Sequence, residues 1–152
     1  MKIYKRKLIK ILGLSLLSII FPINSLLASA KKVINSNLSN KQKKIMFNEG
    51  TEKPYSSELL NEKRKGFYHC ANCGNKLFAS NSKFDSGTGW PSFSEALPGA
   101  FKTKTDYSFG IERVEYHCAK CGAHHGHVFN DGPRESGKRF CNNGLCLIFK
   151  PE

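Results

Sequence analysis

Cysteines recur in two nearly identical segments of this chain. Residues 68–74 read YHCANCG and residues 116–122 read YHCAKCG, so six of seven positions agree at a separation of 48 residues. The glycine after each second cysteine permits a left-handed turn that directs both sulfurs to one metal. Four thiolates form the closed tetrahedral site that structural zinc prefers. The two segments therefore predict one structural zinc ion held by Cys70, Cys73, Cys118 and Cys121.

Two other chemistries fit such cysteine pairs. Redox centres are one alternative, although two nearly identical pairs argue against two separate centres. Disulfides are the other, and they are favoured outside the cytoplasm. A zinc hydrolase or deaminase is less favoured, because it needs an open coordination position that four cysteines would close.

Of the two remaining cysteines, Cys141 has the neighbours expected of a reactive thiol. Alternate residues of a strand share a face, so Arg139, Cys141 and Asn143 are predicted to point the same way. A guanidinium beside a thiol favours the thiolate, which is the nucleophilic form. The alternative is a buried, inert cysteine, the common fate of a free thiol. The polar neighbours favour a nucleophile.

Cys146 is poorly placed to form a disulfide with Cys141. An unbroken strand of five residues spans roughly 16 Å, whereas a disulfide needs Cα atoms within about 7 Å. A bulge at Gly144 would ease that conflict. Without a sharp bend, Cys146 is predicted to be a buried packing residue.

The elements that must position these side chains are short. Beyond Gly50, apolar runs at residues 67–69, 76–78, 111–117, 127–129 and 145–149 are bounded by Gly, Pro, Asn and Asp. Such runs favour strands over helices. Ser39 is predicted to cap a short helix that continues to Phe47. The pattern predicts a mainly β, antiparallel domain with a short N-terminal helical lead-in.

The first thirty residues have the three parts of a secretory signal peptide. A positive start precedes an apolar stretch at residues 11–27, and Ala28-Ser29-Ala30 offers small side chains at the cleavage site. An uncleaved membrane anchor is the alternative, although Pro22 and Asn24 interrupt the stretch. We expect residues 1–30 to be a signal peptide, residues 31–40 a flexible linker and residues 41–152 one domain that is exported to the periplasm.

The positive charge of the chain is modest once the leader is set aside. The net charge of the whole chain is +12, but residues 31–152 carry 19 basic and 12 acidic residues, a net charge of +7. A charge of this size is usually a solvated surface. No basic recognition helix is visible, so we expect no nucleic-acid partner.

Five segments, in their order along the chain, resemble the methionine-R-sulfoxide reductase B family. They are GTE at 50–52, FDSGTGWPSF at 84–93, CGAHHGHVF at 121–129, DGP at 131–133 and RFCNNG at 139–144. The resemblance extends from about residue 39 to residue 151. A set of this kind is far more specific than a single Cys-x-x-Cys pair.

The resemblance implies two small antiparallel sheets with zinc remote from the reaction. It also implies thiol-dependent reduction of the R epimer of methionine sulfoxide, free or in oxidised proteins. The partners implied are those proteins and a thioredoxin-like or other thiol reductant, and we expect a monomer. By position, Cys141 would attack the sulfoxide sulfur and become a sulfenic acid. Trp90 would pack on the methyl group of the substrate. The other implied catalytic residues are His124, His127 and Asn143, which would bind and help protonate the sulfoxide oxygen, and Arg139 and Asp131, which would hold that arrangement.

Two positions depart from the family pattern. Many members carry a cysteine where this chain has Thr88, and that cysteine closes a disulfide with the nucleophile. We therefore predict that an external thiol reduces the sulfenic acid directly. His125 replaces a residue that is usually apolar and is expected to change the edge of the pocket.

Overall fold

The computed structural model describes residues 31–108 and 110–152. The predicted leader lies outside the described residues. Within them, one α-helix and nine strands occur: α1 Asn40–Asn48, β1 Gly66–Cys70, β2 Lys76–Ala79, β3 Lys83–Phe84, β4 Ser92–Phe93, β5 Phe101–Asp106, β6 Arg113–Cys118, β7 His124–Phe129, β8 Arg139–Asn142 and β9 Leu147–Pro151. Short 3₁₀ turns lie at Glu58–Asn61, Ser80–Ser82 and Gly144–Cys146. None of the helices in this part of the chain has the length and apolarity needed to cross a membrane.

The helical lead-in begins as the sequence predicts. Ser39 is the N-cap of α1, and its hydroxyl accepts from the backbone N–H of Gln42 while the Gln42 side chain caps the backbone N–H of Ser39. This reciprocal pair satisfies two of the amides that a helix start leaves unpaired. The inner face of α1 buries Ile45 and Met46 against the β domain.

The strands form two antiparallel sheets, which confirms the predicted fold class. One sheet has the order β2-β1-β9 and the other has the order β3-β4-β8-β7-β6-β5. Strand β8 lies inside the larger sheet, so Cys141 is paired with Ser92 of β4 on one side and with His127 of β7 on the other. The pairing on both sides fixes the position of Cys141.

The core joins the two sheets through aromatic side chains. Phe78 and Phe93 stack with ring centroids 4.0 Å apart. Tyr68 meets Phe93 edge to face at 4.9 Å, and Tyr116 meets Phe140 in the same way at 5.5 Å. Aromatic pairs in these geometries stabilise a fold by about 0.5–1.5 kcal/mol each beyond the area that they bury. Through Phe140, this core packs directly against β8.

The residues before α1 make contacts with the Cys-x-x-Cys segments. The backbone N–H of Lys32 donates to the carbonyl of Cys121 at 3.1 Å, and Ile34 N–H donates to Asn72 Oδ1 at 2.8 Å. Leu38 is buried in the core. Part of the segment assigned to a linker thus lies against the cysteine-rich end of the domain.

The strand predicted from residue 145 begins two residues later, at Leu147, because a 3₁₀ turn occupies Gly144–Cys146. The Glu52 carboxylate accepts from the backbone N–H groups of Gly144 at 2.5 Å and Leu145 at 3.1 Å. A Cβ atom at Gly144 would lie 1.9 Å from Ser57 Oγ, so only glycine fits this close approach.

Candidate active site and metal centre

Each Cys-x-x-Cys-Gly segment folds as a tight turn. The N–H of Gly74 donates to the carbonyl of Cys70 at 2.8 Å, and the N–H of Gly122 donates to the carbonyl of Cys118 at 2.8 Å. Both glycines adopt left-handed backbone conformations, with φ of 71° and 70°. The glycine at the end of each motif therefore allows the turn that brings its two sulfurs together.

The four sulfurs converge on one point. All of them lie within 4.8 Å of one another. Cys70 Sγ is 3.8 Å from Cys121 Sγ, and Cys73 Sγ is 3.6 Å from Cys118 Sγ. A tetrahedron with zinc–sulfur bonds of about 2.3 Å has edges of about 3.8 Å. The donor set and its spacing fit a zinc ion, and the separations are too long for disulfides.

Cys141 lines a cavity of about 180 Å³. We call it the Cys141 cavity, and its walls are Thr51, Trp90, Arg113, Gly126, His127, Phe129, Cys141, Asn142 and Asn143. Four of the residues named from the sequence therefore lie around one space: Trp90, His127, Cys141 and Asn143. The backbone of Cys141 passes very close to Gly126 in the cavity wall, since a Cβ atom on residue 126 would lie 1.9 Å from the carbonyl oxygen of Cys141.

The thiol of Cys141 is less acidic in this structure than the sequence suggests. Burial raises its pKa, while the Arg139 guanidinium and a hydrogen bond with the Thr88 side chain lower it, and burial prevails. Arg139 thus favours the thiolate, as expected, but burial outweighs it and the net shift of the Cys141 pKa is upward. Thr88 belongs to a hydroxyl network, since Ser86 Oγ lies 2.8 Å from both Thr88 Oγ1 and Ser92 Oγ.

Arg139 and Asp131 form a two-point ion pair. Arg139 Nε donates to Asp131 Oδ1 at 2.9 Å and Nη2 donates to Oδ2 at 2.8 Å. The guanidinium also lies 4.5 Å from the centre of the Phe129 ring. Bidentate contacts hold an arginine in one orientation, so this pair fixes the charge next to Cys141.

Trp90 and Asn143 are both fixed by the backbone of Glu52. The Trp90 indole N–H donates to the Glu52 carbonyl at 3.2 Å, and the Glu52 N–H donates to Asn143 Oδ1 at 2.9 Å. Asn143 Nδ2 donates to the His125 carbonyl at 3.0 Å. An amide nitrogen has two hydrogens, so Asn143 keeps a second N–H beyond this bond.

His127 is held by two residues that the sequence analysis missed. Its Nε2 lies 2.8 Å from Asp106 Oδ2, and the same oxygen accepts from Arg113 Nη2 at 2.6 Å. Bonds from the Ser108 hydroxyl and amide, and then from His127, keep the pKa of Asp106 well below its usual range. Burial lowers the pKa of His127, and the bond to Asp106 opposes that shift. No local spacing predicts this group, because Asp106 and Arg113 meet across the β5–β6 pair.

His124 lies behind His127 and is not among the residues that line the Cys141 cavity. Its ring centroid is 5.7 Å from that of His127, and its Nδ1 is hydrogen-bonded to the buried Glu115 carboxylate. The same carboxylate oxygen lies 2.8 Å from His117 Nε2. Burial raises the pKa of Glu115, but the bonds to His117 and His124 outweigh it and the net shift is downward. His124 therefore packs against His127 and does not itself face the Cys141 cavity.

A bulge explains how residues three apart on β7 come together. Tyr116 pairs with Gly126 and His117 pairs with His124, which leaves His125 as the extra residue. His125 is fully buried, with Nε2 3.4 Å from Cys70 Sγ. The expectation that His125 changes the edge of the pocket is wrong, since its side chain packs in the core near the sulfur cluster.

Cys146 is fully buried in the hydrophobic core, as expected of a packing residue. Burial raises the pKa of its thiol well above the usual value. All six cysteines are free in this structure. Cys141 is the one that lines the cavity containing Trp90 and His127.

Residues 38–151 match the family model described as the SelR domain. The chain is 47% identical over 116 residues to the peptide methionine sulfoxide reductase MsrB of Methanosarcina barkeri, covering 76% of this chain and 82% of that protein. It is 50% identical over 117 residues to the peptide methionine sulfoxide reductase MsrB of Leifsonia xyli, covering 76% and 84%. It is 42% identical over 123 residues to the mitochondrial methionine-R-sulfoxide reductase B3 of Mus musculus, covering 80% of this chain and 49% of that protein.

Proposed function

This chain belongs to the SelR-domain family of methionine-R-sulfoxide reductases B, and as a member it is a thiol-dependent peptide-methionine (R)-S-oxide reductase; we propose that Cys141 is its nucleophile. One observation carries this assignment. Cys141 shares a cavity with an indole, an imidazole and an amide, whereas four other cysteines converge on one point and Cys146 lies in the core.

The proposed reaction transfers one oxygen atom and two electrons. The Cys141 sulfur attacks the sulfoxide sulfur, the sulfoxide oxygen takes up protons, and oxygen ends on the cysteine sulfur as the S–O bond of the substrate is lost. Methionine leaves, and Cys141 remains as a sulfenic acid. Two equivalents of an external thiol then return Cys141 to the thiol, with one disulfide and one water as products.

The cavity walls have separate roles in this proposal. The indole of Trp90 offers an apolar face to the methyl group of the substrate. The second N–H of Asn143 and the protonated ring of His127 donate to the sulfoxide oxygen, which becomes more basic as the sulfur is attacked. Arg139 stabilises the thiolate as it forms, because its charge already lowers the pKa of Cys141 against the effect of burial. His124, held by Glu115, supports His127 from behind.

A single turnover without reductant tests the nucleophile. We expect methionine-R-sulfoxide to yield one equivalent of methionine and a sulfenic acid on Cys141, detected by mass spectrometry after trapping with dimedone. Trapping on Cys146 or on a cysteine of the sulfur cluster, with Cys141 unmodified, would contradict the proposal.

Asp106→Asn is expected to lower kcat/KM by about 10–100-fold, since a smaller fraction of His127 then carries the proton that it donates. The Asp106 carboxylate stabilises the protonated ring of His127, so its loss lowers the pKa of His127. The protonated form then disappears at lower pH, and the falling limb of the pH profile moves in the acidic direction. Asp106→Glu keeps the charge and serves as the control. An unchanged pH profile for Asp106→Asn would show that His127 does not donate the proton.

Thr88→Cys is expected to convert recycling to an intramolecular step. The side chain of Thr88 is hydrogen-bonded to Cys141, so a thiol at this position lies within reach of the sulfenic acid. Peptide mapping after one turnover checks for a disulfide between positions 88 and 141. Cys146→Ala is the matched variant, and we expect it to retain wild-type turnover with a thioredoxin-type donor. A disulfide between Cys141 and Cys146 in the oxidised wild type would show that recycling uses Cys146.

The cysteine cluster supports a resident structural zinc ion, which we propose stabilises the fold without taking part in oxygen transfer. Export is a separate proposal, and it depends on the signal-like sequence of residues 1–30. Amino-terminal sequencing of the protein from a periplasmic fraction is expected to start at Lys31. The expectation of a monomer without a nucleic-acid partner stays a prediction.

A further inference from the structure

A second cleft adjoins the Cys141 cavity. It has a volume of about 440 Å³, and Thr51 lines both spaces. The segment between them includes Glu52, whose backbone holds Trp90 and Asn143. A polypeptide whose oxidised methionine occupies the Cys141 cavity therefore has room for its neighbouring residues in the adjoining cleft.

Three lysines surround this cleft, which we call the lysine cleft. Lys41 and Lys44 come from α1 and Lys53 from the segment after it, while Ile45 and Leu145 supply apolar surface. All three lysines are exposed. Among residues 31–108 and 110–152, no carboxylate lies within 4.0 Å of any of their ammonium groups.

The one acidic residue of the lysine cleft does not neutralise it. The Glu52 carboxylate is occupied by the backbone N–H groups of Gly144 and Leu145, and Glu52 is only 7% exposed. Residues 1–30 are an unsuitable occupant on charge, because they contain five basic residues and no acidic ones. A second copy of the chain is disfavoured in the same way by its net positive charge.

We propose that the lysine cleft binds acidic residues next to the oxidised methionine, so that the enzyme prefers methionine-R-sulfoxide in acidic polypeptide segments. This inference depends on the proposed function, because it assigns a substrate class to the same site. Exposed charges mainly change the rate at which a charged partner associates and the choice between partners. The preference is therefore expressed in kcat/KM and is sensitive to salt.

The test compares short peptides that have methionine-R-sulfoxide at the centre and glutamate, glutamine or lysine on both sides. At low ionic strength, we expect the glutamate peptide to exceed the glutamine peptide in kcat/KM by about tenfold. At 1 M salt, where the screening length is about 3 Å, the ratio is expected to approach one. The combined variant Lys41→Glu, Lys44→Glu and Lys53→Glu is expected to reverse the preference toward the lysine peptide.

A matched control reverses three exposed lysines that line neither space: Lys65, Lys102 and Lys150. It changes the net charge equally and is expected to keep the wild-type preference. The result is a ratio of kcat/KM values between two peptides. A loss of active enzyme through partial unfolding lowers both values equally and leaves the ratio unchanged.

Equal kcat/KM values for the three peptides with wild-type enzyme would overturn the inference while leaving the reductase function intact. An equal loss of preference in the control variant would also overturn it, because the effect would then come from net charge. Failure to reduce any of the R-sulfoxide peptides would instead contradict the proposed function.

Discussion

Cys141→Ser is expected to abolish reduction of methionine-R-sulfoxide, with kcat/KM falling by at least about 10³-fold, as for the loss of other catalytic nucleophiles. A serine hydroxyl has no counterpart of the sulfenic acid, so it cannot accept the oxygen of the sulfoxide or donate the two electrons that reduce the sulfoxide to methionine. The rate of methionine formation, measured by chromatography with dithiothreitol as reductant, checks this result.

Cys146→Ala is the control for that substitution, since it removes the other cysteine that lies outside the sulfur cluster. We expect it to remain active. Thermal unfolding of both variants separates loss of chemistry from loss of fold, because Cys141 lies at a cavity wall and its replacement by serine should leave the core intact. Residual turnover of Cys141→Ser within tenfold of wild type would show that another residue attacks the sulfoxide.

Cys118→Ser is expected to lose the metal and to leave the domain unfolded at 25 °C. Structural zinc contributes apparent binding free energies of about 10–16 kcal/mol in small domains, whereas whole domains are stable by only about 5–15 kcal/mol. The sulfurs of Cys70, Cys73 and Cys121 alone cannot complete the tetrahedral site. Zinc content by atomic absorption and the far-ultraviolet circular dichroism spectrum check both parts of the prediction.

Cys141→Ser is the matched control for this variant, because it makes the same substitution outside the cluster. It is expected to keep one zinc ion per chain and a cooperative thermal transition. If Cys118→Ser folded without metal and melted at the wild-type temperature, the cluster would not stabilise the fold.

The features that depend on local chemistry are the ones that the amino-acid sequence predicts correctly. The Cys-x-x-Cys-Gly segments predict both the turns and the convergence of four sulfurs, since each glycine sits where a left-handed backbone is required. Ser39 begins α1 with a capping box, and short apolar runs become the antiparallel strands. These features depend on residues a few positions apart, which periodicity and composition record directly.

Features that depend on distant contacts were not predicted. Asp106 and Arg113 reach His127 only because β5, β6 and β7 are adjacent in the larger sheet. The raised pKa of Cys141 comes from burial by the folded chain, which a neighbouring arginine in the sequence does not reveal. The bulge at His125 brings His124 beside His127, although strict alternation would place these side chains on opposite faces.

The central claim is tested most directly by an assay with the separated R and S epimers of a methionine sulfoxide substrate and dithiothreitol. We expect rapid reduction of the R epimer and little action on the S epimer, because the chain belongs to this family and has the Cys141 cavity. Comparable turnover of the two epimers, or turnover of the S epimer alone, would contradict the account.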